Sequence, residues 1–260
     1  MNAQEQKAYF DTFGFLLMRQ LLHPDEIEMM RQETDKVYQQ KLQDETKQGG
    51  FHVSGYIESQ PHLAQLVEDD RFYGTIENLL KPDFIWMGSE TNRTTNSVHR
   101  WHCDRYGEDA ISYIRIKIMI YLDPVTKDRG ALRVVPGSHR NPLQGLLHDY
   151  NGHQQDDSFM PHGVSGEELP CFSLDAVPGD VVFFNQYLFH AVYGGFEGRR
   201  YMAFKYAQRP STDAHLESIR KFSPDVFDPH EAFVNSDRPR IRRMVEGLRE
   251  MKSVISDSLE

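Results

Sequence analysis

The chain has 260 residues, 39% of them apolar, 16 Phe and a formal net charge of -10, a composition that supports a sizeable core and excludes global disorder. The acidic balance argues against a nucleic-acid partner, because phosphate contacts need a concentrated basic face and the Lys and Arg here are interspersed with Asp and Glu. With two cysteines, Cys103 and Cys171, there is no disulfide framework or Cys-rich zinc module, and neither a signal peptide nor a membrane span of roughly 20 apolar residues is legible.

In chain order, residues 4–13 read as a short helix that leads into the β-favouring run Gly14-Phe15-Leu16-Leu17-Met18. A second helix starts at Pro24, with Asp25 and Glu26 matching the positive N-terminal dipole and Ile27, Met30 and Val37 on one stripe. Residues 41–56 are polar and Gly-containing, as in a loop, and 61–81 carry another helical pattern that ends before Pro82. From residue 84 the period changes to strands: Phe84 to Met87, Tyr113 to Leu122, Ala131 to Val135, Val181 to Phe184 and Tyr201 to Tyr206. The long polar stretch 141–170 reads as a lid, with His148, His153 and His162 solvated rather than a second metal site. Residues 207–260 return to helical, charged sequence, and RPRIRRMVEGLREM is the most convincing helix. Helices first and many strands later predict an α+β domain with a mainly β core, sandwich or barrel. The whole of 1–260 is expected to be one cytoplasmic domain, its core over about 10–210 and a helical extension over 211–260.

The chemistry concentrates around Trp101-His102-Cys103-Asp104. In extended backbone an imidazole and a carboxylate two residues apart point to the same side and can bind one metal. A second imidazole, His190, follows 88 residues further on, just after the strand Val181 to Phe184. Two His and one carboxylate on one face of an octahedron leave open positions, which suits non-haem Fe(II) and O2 chemistry. Zinc accepts the same ligands, so a zinc hydrolase or a cupin-type enzyme is the alternative, and a barrel that has lost catalysis is a third. Nine residues after His190 comes a strand whose apolar face is Met202, Phe204 and Tyr206, with Arg199 leading the other face. A guanidinium fixed in this way can hold the distal carboxylate of 2-oxoglutarate bidentately, with Arg200 as the second choice.

These residues resemble those of the phytanoyl-CoA dioxygenase family of Fe(II)/2-oxoglutarate oxygenases. The similarity runs from Phe13-Gly14-Phe15-Leu16-Leu17 and Pro24-Asp25-Glu26-Ile27 through Trp101-His102-Cys103-Asp104 and Tyr121-Leu122-Asp123. It continues through Gly130-Ala131-Leu132-Arg133-Val134-Val135-Pro136-Gly137-Ser138-His139 and Pro178-Gly179-Asp180-Val181-Val182-Phe183-Phe184 to Phe189-His190-Ala191. The resemblance implies a double-stranded β-helix (a jelly roll, cupin-like) with N-terminal helices packed on one sheet. It also implies His102, Asp104 and His190 as iron ligands, Arg199 as co-substrate anchor, and consumption of 2-oxoglutarate and O2 with release of succinate and CO2. One departure is the run Ala191-Val192-Tyr193-Gly194-Gly195, where relatives often carry a polar, Ser-containing segment. Related halogenases replace the carboxylate of the HxD motif by a small residue; Asp104 is retained here, so hydroxylation is favoured.

Relatives place polar contacts to 2-oxoglutarate on the strand before the HxD loop, which makes Ser89, Thr91 and Asn92 candidates. Alternation over Arg115 to Tyr121 sets Ile114, Ile116, Ile118 and Ile120 on one face and Lys117 and Tyr121 on the other, where they can look into the barrel. His99, Arg105 and Tyr106 flank the motif as candidates for the pocket mouth, Cys103 points away as a packed thiol, and His139 is structural. The expected partner is a small molecule, and monomer and homodimer remain open.

Overall fold

The computed structural model describes residues 1–43, 51–94, 98–105, 112–150, 160 and 163–256. The first helix, α1 (Ala3–Phe13), is fixed at both ends. Asn2 accepts the Glu5 backbone N–H while the Glu5 carboxylate accepts that of Asn2, and Gly14 closes the other end at φ 83°. Gly14 then turns the chain into β1 (Phe15–Met18). Helix α2 (Pro24–Gln43) starts where its proline predicts. The stretch read as a loop holds a further strand, β2 (Phe51–Ser54), an edge element whose alternation of Phe51 and Val53 with His52 and Ser54 is only four residues long and which pairs with β3 (Phe84–Arg93). The helical pattern over 61–81 divides into α3 (Pro61–Val67) and α4 (Asp70–Leu80), because Asp69 caps a new start by accepting the Arg71 backbone N–H at 2.9 Å.

Strands β3 (Phe84–Arg93), β4 (His99–His102), β5 (Arg115–Tyr121) and β6 (Leu132–Val134) precede the short helix α5 (Leu143–Leu146). Strands β7 (Phe172–Leu174), β8 (Val181–Asn185), β9 (His190–Val192) and β10 (Arg200–Gln208) follow, then α6 (Asp213–Phe222), α7 (Glu231–Val234), α8 (Pro239–Val245) and α9 (Leu248–Ser256). The single C-terminal helix expected over RPRIRRMVEGLREM is two, because Gly247 at φ 74° lies in the left-handed region and ends the α8 direction. Among the described residues no helix is long and apolar enough to cross a membrane.

The strands form two antiparallel sheets, β1-β8-β5-β10-β3-β2 and β4-β9-β6-β7. One apolar cluster lies between the six-stranded sheet and the helices: Ile116, Ile118, Ile120, Phe183 and Phe204 meet Phe72, Ile76 and Leu79. Another lies between the sheets, where Met119, Tyr121, Val182 and Phe184 meet Leu132, Val134, Leu174 and Val192. The alternation read from the β5 sequence is therefore the alternation observed, with isoleucines under the helices and Lys117, Met119 and Tyr121 facing inward.

A third cluster places the described part of the 141–170 stretch, read from the sequence as a lid. Trp101, Cys103, Phe189 and Tyr193 form the outer face of the four-stranded sheet, and Leu147, Tyr150 and Leu169 pack on it. Trp101 Nε1 donates to the Gly166 carbonyl at 2.5 Å and Tyr150 donates to that of Val164 at 2.7 Å. The described part of this segment thus packs on the back of the sheet; His153 and His162 lie outside the described residues.

The Gly194-Gly195 departure has a steric reason. Gly194 sits at φ 62°, and a Cβ there would lie 2.0 Å from the Asp128 carbonyl oxygen. Gly194→Ala is expected to cost about 2–3 kcal/mol, from left-handed strain and a backbone clash that cannot relax cheaply, read as a lower urea midpoint at unchanged slope.

Candidate metal and co-substrate site

On β4 the pleat turns Trp101 and Cys103 into the outer cluster, which leaves His102 facing inward. The antiparallel register pairs its Cα with that of His190 on β9, so strands distant in sequence deliver two imidazoles side by side, ring centroids 4.3 Å apart. Asp104, just past β4, brings Oδ1 to 3.8 Å from Nε2 of each histidine. The ligand atoms all lie within 4.8 Å of one another, and among the described residues this is the one such group of three. Each Nδ1 lies 2.7 Å from a backbone carbonyl, Arg100 for His102 and Leu188 for His190. A carbonyl can only accept, so Nδ1 carries the proton and Nε2 presents a lone pair to the centre of the trio.

The electrostatics favour a cation there. Burial, reinforced by His102, pushes the His190 pKa down to about 3, keeping it neutral. Burial would raise the Asp104 carboxyl, but the Lys117 ammonium, helped by Arg105, outweighs it and holds it well below the usual carboxylate range. An ionised carboxylate beside the neutral His190, with His102 Nε2 facing the same point, fits a divalent metal.

The trio lines a cavity of about 230 Å³ that Arg199, Tyr201, Lys117, Asn92, Glu90 and His99 also line. Arg199 is 2% exposed. It donates through Nη1 to the Gly130 carbonyl and through Nε to Thr94 Oγ1 at 3.4 Å, and its guanidinium lies 5.7 Å from the Tyr201 ring centroid. The buried Tyr121 lies behind it, its ring centroid 6.0 Å from the guanidinium carbon. A buried guanidinium with no carboxylate partner among the described residues is a ready seat for an anion.

Other expected positions divide by strand face. Asn92 faces the cavity, but Ser89 and Thr91 face the opposite way on β3: Ser89 bonds Glu58 and the Ile57 N–H, while Thr91 bonds the Tyr38 hydroxyl and the Tyr201 carbonyl. Neither reaches the cavity, because β3 alternates and Glu90 and Asn92 hold its inner face. Arg200 points outward to Asp123 at 2.9 Å and Asp35 at 3.0 Å, so Arg199 is the arginine the cavity holds. Tyr121 sits behind Arg199 rather than on the cavity wall. Lys117 and His99 line the cavity, Arg105 lines a neighbouring one, and Tyr106 lies outside the described residues.

Glu90 and Tyr201 were missed, although alternation from Asn92 and from Arg199 would have found both. Glu90 receives Lys117 at 2.7 Å and also Lys205. Burial alone would raise its pKa, but the two ammonium groups bring it down to about 2. Its folded pKa lies below the unfolded value of about 4.3, so the stabilisation is complete above that value and is lost as pH falls towards 2. Glu90→Gln is expected to cost about 2–3 kcal/mol at neutral pH, by leaving two lysines short of an anion, and to flatten the acid limb of a stability-pH curve.

The chain matches the family model for phytanoyl-CoA dioxygenase (PhyH) over residues 10–194. It belongs to that family. Peroxisomal phytanoyl-CoA dioxygenase of Bos taurus is 25% identical over 220 residues, covering 72% of this chain and 62% of the relative, and that of Rattus norvegicus is 23% identical over 216 residues. The chain thus spans 62% of the length of these curated family members. Among solved structures, HygX from Streptomyces hygroscopicus with nickel and 2-oxoglutarate bound is 22% identical at a TM-score of 0.63, covering 81% of this chain and 88% of that one. AviO1 from Streptomyces viridochromogenes is 17% identical at 0.62, with 81% and 97% covered. At these identities the likeness speaks for the fold.

Proposed function

We propose that this phytanoyl-CoA dioxygenase family member is an Fe(II)- and 2-oxoglutarate-dependent dioxygenase that hydroxylates a small molecule. His102, Asp104 and His190 hold the metal, and Arg199 takes the distal carboxylate of the co-substrate. The observation that carries this reading is the convergence of three ligand atoms within 4.8 Å in a cavity that the buried Arg199 also lines. Arg199 argues against the zinc hydrolase, which has no use for it. Support also comes from the curated relatives, which are phytanoyl-CoA dioxygenases, and from HygX, whose structures contain nickel, 2-oxoglutarate and hygromycin B. We read the two facing sheets as the double-stranded β-helix of a single domain, extended by the helices after residue 210.

When bound, Fe(II) with 2-oxoglutarate and O2 supplies the oxidising chemistry, with release of succinate and CO2. The chain's own contribution is geometric and electrostatic. The Arg100 and Leu188 carbonyls orient both imidazoles, Lys117 keeps Asp104 ionised, and the apolar Met119, Leu132, Phe184 and Val192 exclude water around them. Anaerobic addition of Fe(II) and 2-oxoglutarate is expected to give a weak visible charge-transfer band, and admission of O2 to give succinate. Absence of the band together with zinc-dependent hydrolysis would overturn the proposal.

A further inference from the structure

A second cavity, of about 420 Å³, adjoins the first. Consecutive residues form the partition: Asp104 lines the metal cavity and Arg105 the second, and likewise Glu90 lines the first and Ser89 the second. The other element of the partition is an ion pair, Glu90 from the metal side with Lys205 from the other. Met87 of β3 gives this cavity an apolar wall, and the C-terminal segment adds Phe222 and Val226.

Its charges are unevenly satisfied. Glu90 is one carboxylate held by two ammonium groups, and it is the one acidic partner of Lys205 among the described residues. The Arg105 guanidinium stacks on Phe222, with 5.2 Å from Cζ to the ring centroid, and donates to Ser223 Oγ at 2.8 Å and to the Asp104 carbonyl at 2.6 Å. The anions that also face the cavity are engaged or outlying: Glu58 accepts from Trp86 Nε1 at 2.8 Å and from Ser89, Asp228 pairs with Lys252 at 2.5 Å, and Asp225 is exposed. A carboxylate arriving at Lys205 could replace Glu90 there while Glu90 kept Lys117, so no charge would be stranded by the exchange.

We propose that this second cavity receives the molecule to be oxidised, and that it selects a small carboxylate with an apolar body. Lys205 binds the carboxylate, and Met87, Phe222 and Val226 contact the rest. The assignment of this ligand as substrate rests on the oxygenase reading, whereas its binding does not. Exchange of Glu90 for the incoming carboxylate at Lys205 loosens the partition at the wall shared with the metal cavity, which brings the apolar body towards the ligand trio.

Benzoate and its uncharged analogue benzamide test this by calorimetry on the full metal-free chain. Benzoate is expected to bind at least about tenfold tighter than benzamide, the size of one charge-assisted contact. Lys205→Met should erase that preference, Lys205→Arg should keep it, and Phe222→Ala should weaken benzoate in an otherwise folded protein. Arg199→Leu should leave benzoate binding unchanged. Equal binding of the two probes, persistence of the preference in Lys205→Met, or its loss in Arg199→Leu would overturn the proposal, the last by placing the carboxylate in the metal cavity. The Fe(II)/2-oxoglutarate absorbance is measured separately, so failure of the oxygenase reading and failure of this one are distinguishable.

Discussion

Asp104→Ala is expected to abolish the Fe(II)- and 2-oxoglutarate-dependent absorbance and to lower succinate formation by at least about 1000-fold, well beyond the 10–100-fold typical of changes outside the ligands themselves. Two effects combine. The substitution removes the one anionic ligand, and it also leaves the Lys117 ammonium, 4.0 Å from Asp104 Oδ2, facing the incoming cation without that compensation. Adding Lys117→Met to Asp104→Ala should therefore recover part of the metal affinity, measured by anaerobic Fe(II) titration. If the double variant binds no better than the single, Lys117 does not repel the incoming metal. An unchanged absorbance in Asp104→Ala would remove Asp104 from the ligand set.

Arg199→Leu and Arg200→Ala should separate cleanly despite their adjacency. Arg199 is buried in the metal cavity, so its loss is expected to raise the KM for 2-oxoglutarate about 100-fold, equivalent to ~2.7 kcal/mol of lost charge-assisted binding. Arg200 pairs outward with Asp123 and Asp35 at a partly exposed site, and its loss should cost up to about 1 kcal/mol of stability and leave that KM unchanged. A KM effect in the Arg200 variant alone would reverse the assignment. Lys at position 199 should rescue poorly, because a point charge on a flexible stem cannot reproduce a planar fork held by Gly130 and Thr94.

Much of this was legible from the sequence because period-two alternation on strands is a strong physical signal. Lys117 against the isoleucines of β5, and Arg199 against Met202, Phe204 and Tyr206, fell on the faces the structure gives them. The same rule, carried one strand further, would have turned Ser89 and Thr91 away and put Glu90 inside. What the sequence concealed was decided by partners distant along the chain. Strand β2, four residues long, is held as an edge by the hydrogen bonds β3 offers it, and the packing of Leu147, Tyr150 and Leu169 depends on which face of β4 presents Trp101. The break at Asp69 and that at Gly247 are local, each set by one residue inside an otherwise continuous helical pattern.

The pairing of His102 with His190 across β4 and β9 has a consequence for folding as well as for chemistry. A metal held by both imidazoles would act as a removable clasp between two short strands, one of four residues and one of three, whose mutual register is interrupted between His99 and His102. Saturating metal should raise the melting temperature by an amount set by its affinity, about 2.7 kcal/mol at one hundred times the dissociation constant, and chelation should reverse the gain. Hydrogen exchange should locate that protection in the four-stranded sheet, with the helix-backed sheet little affected.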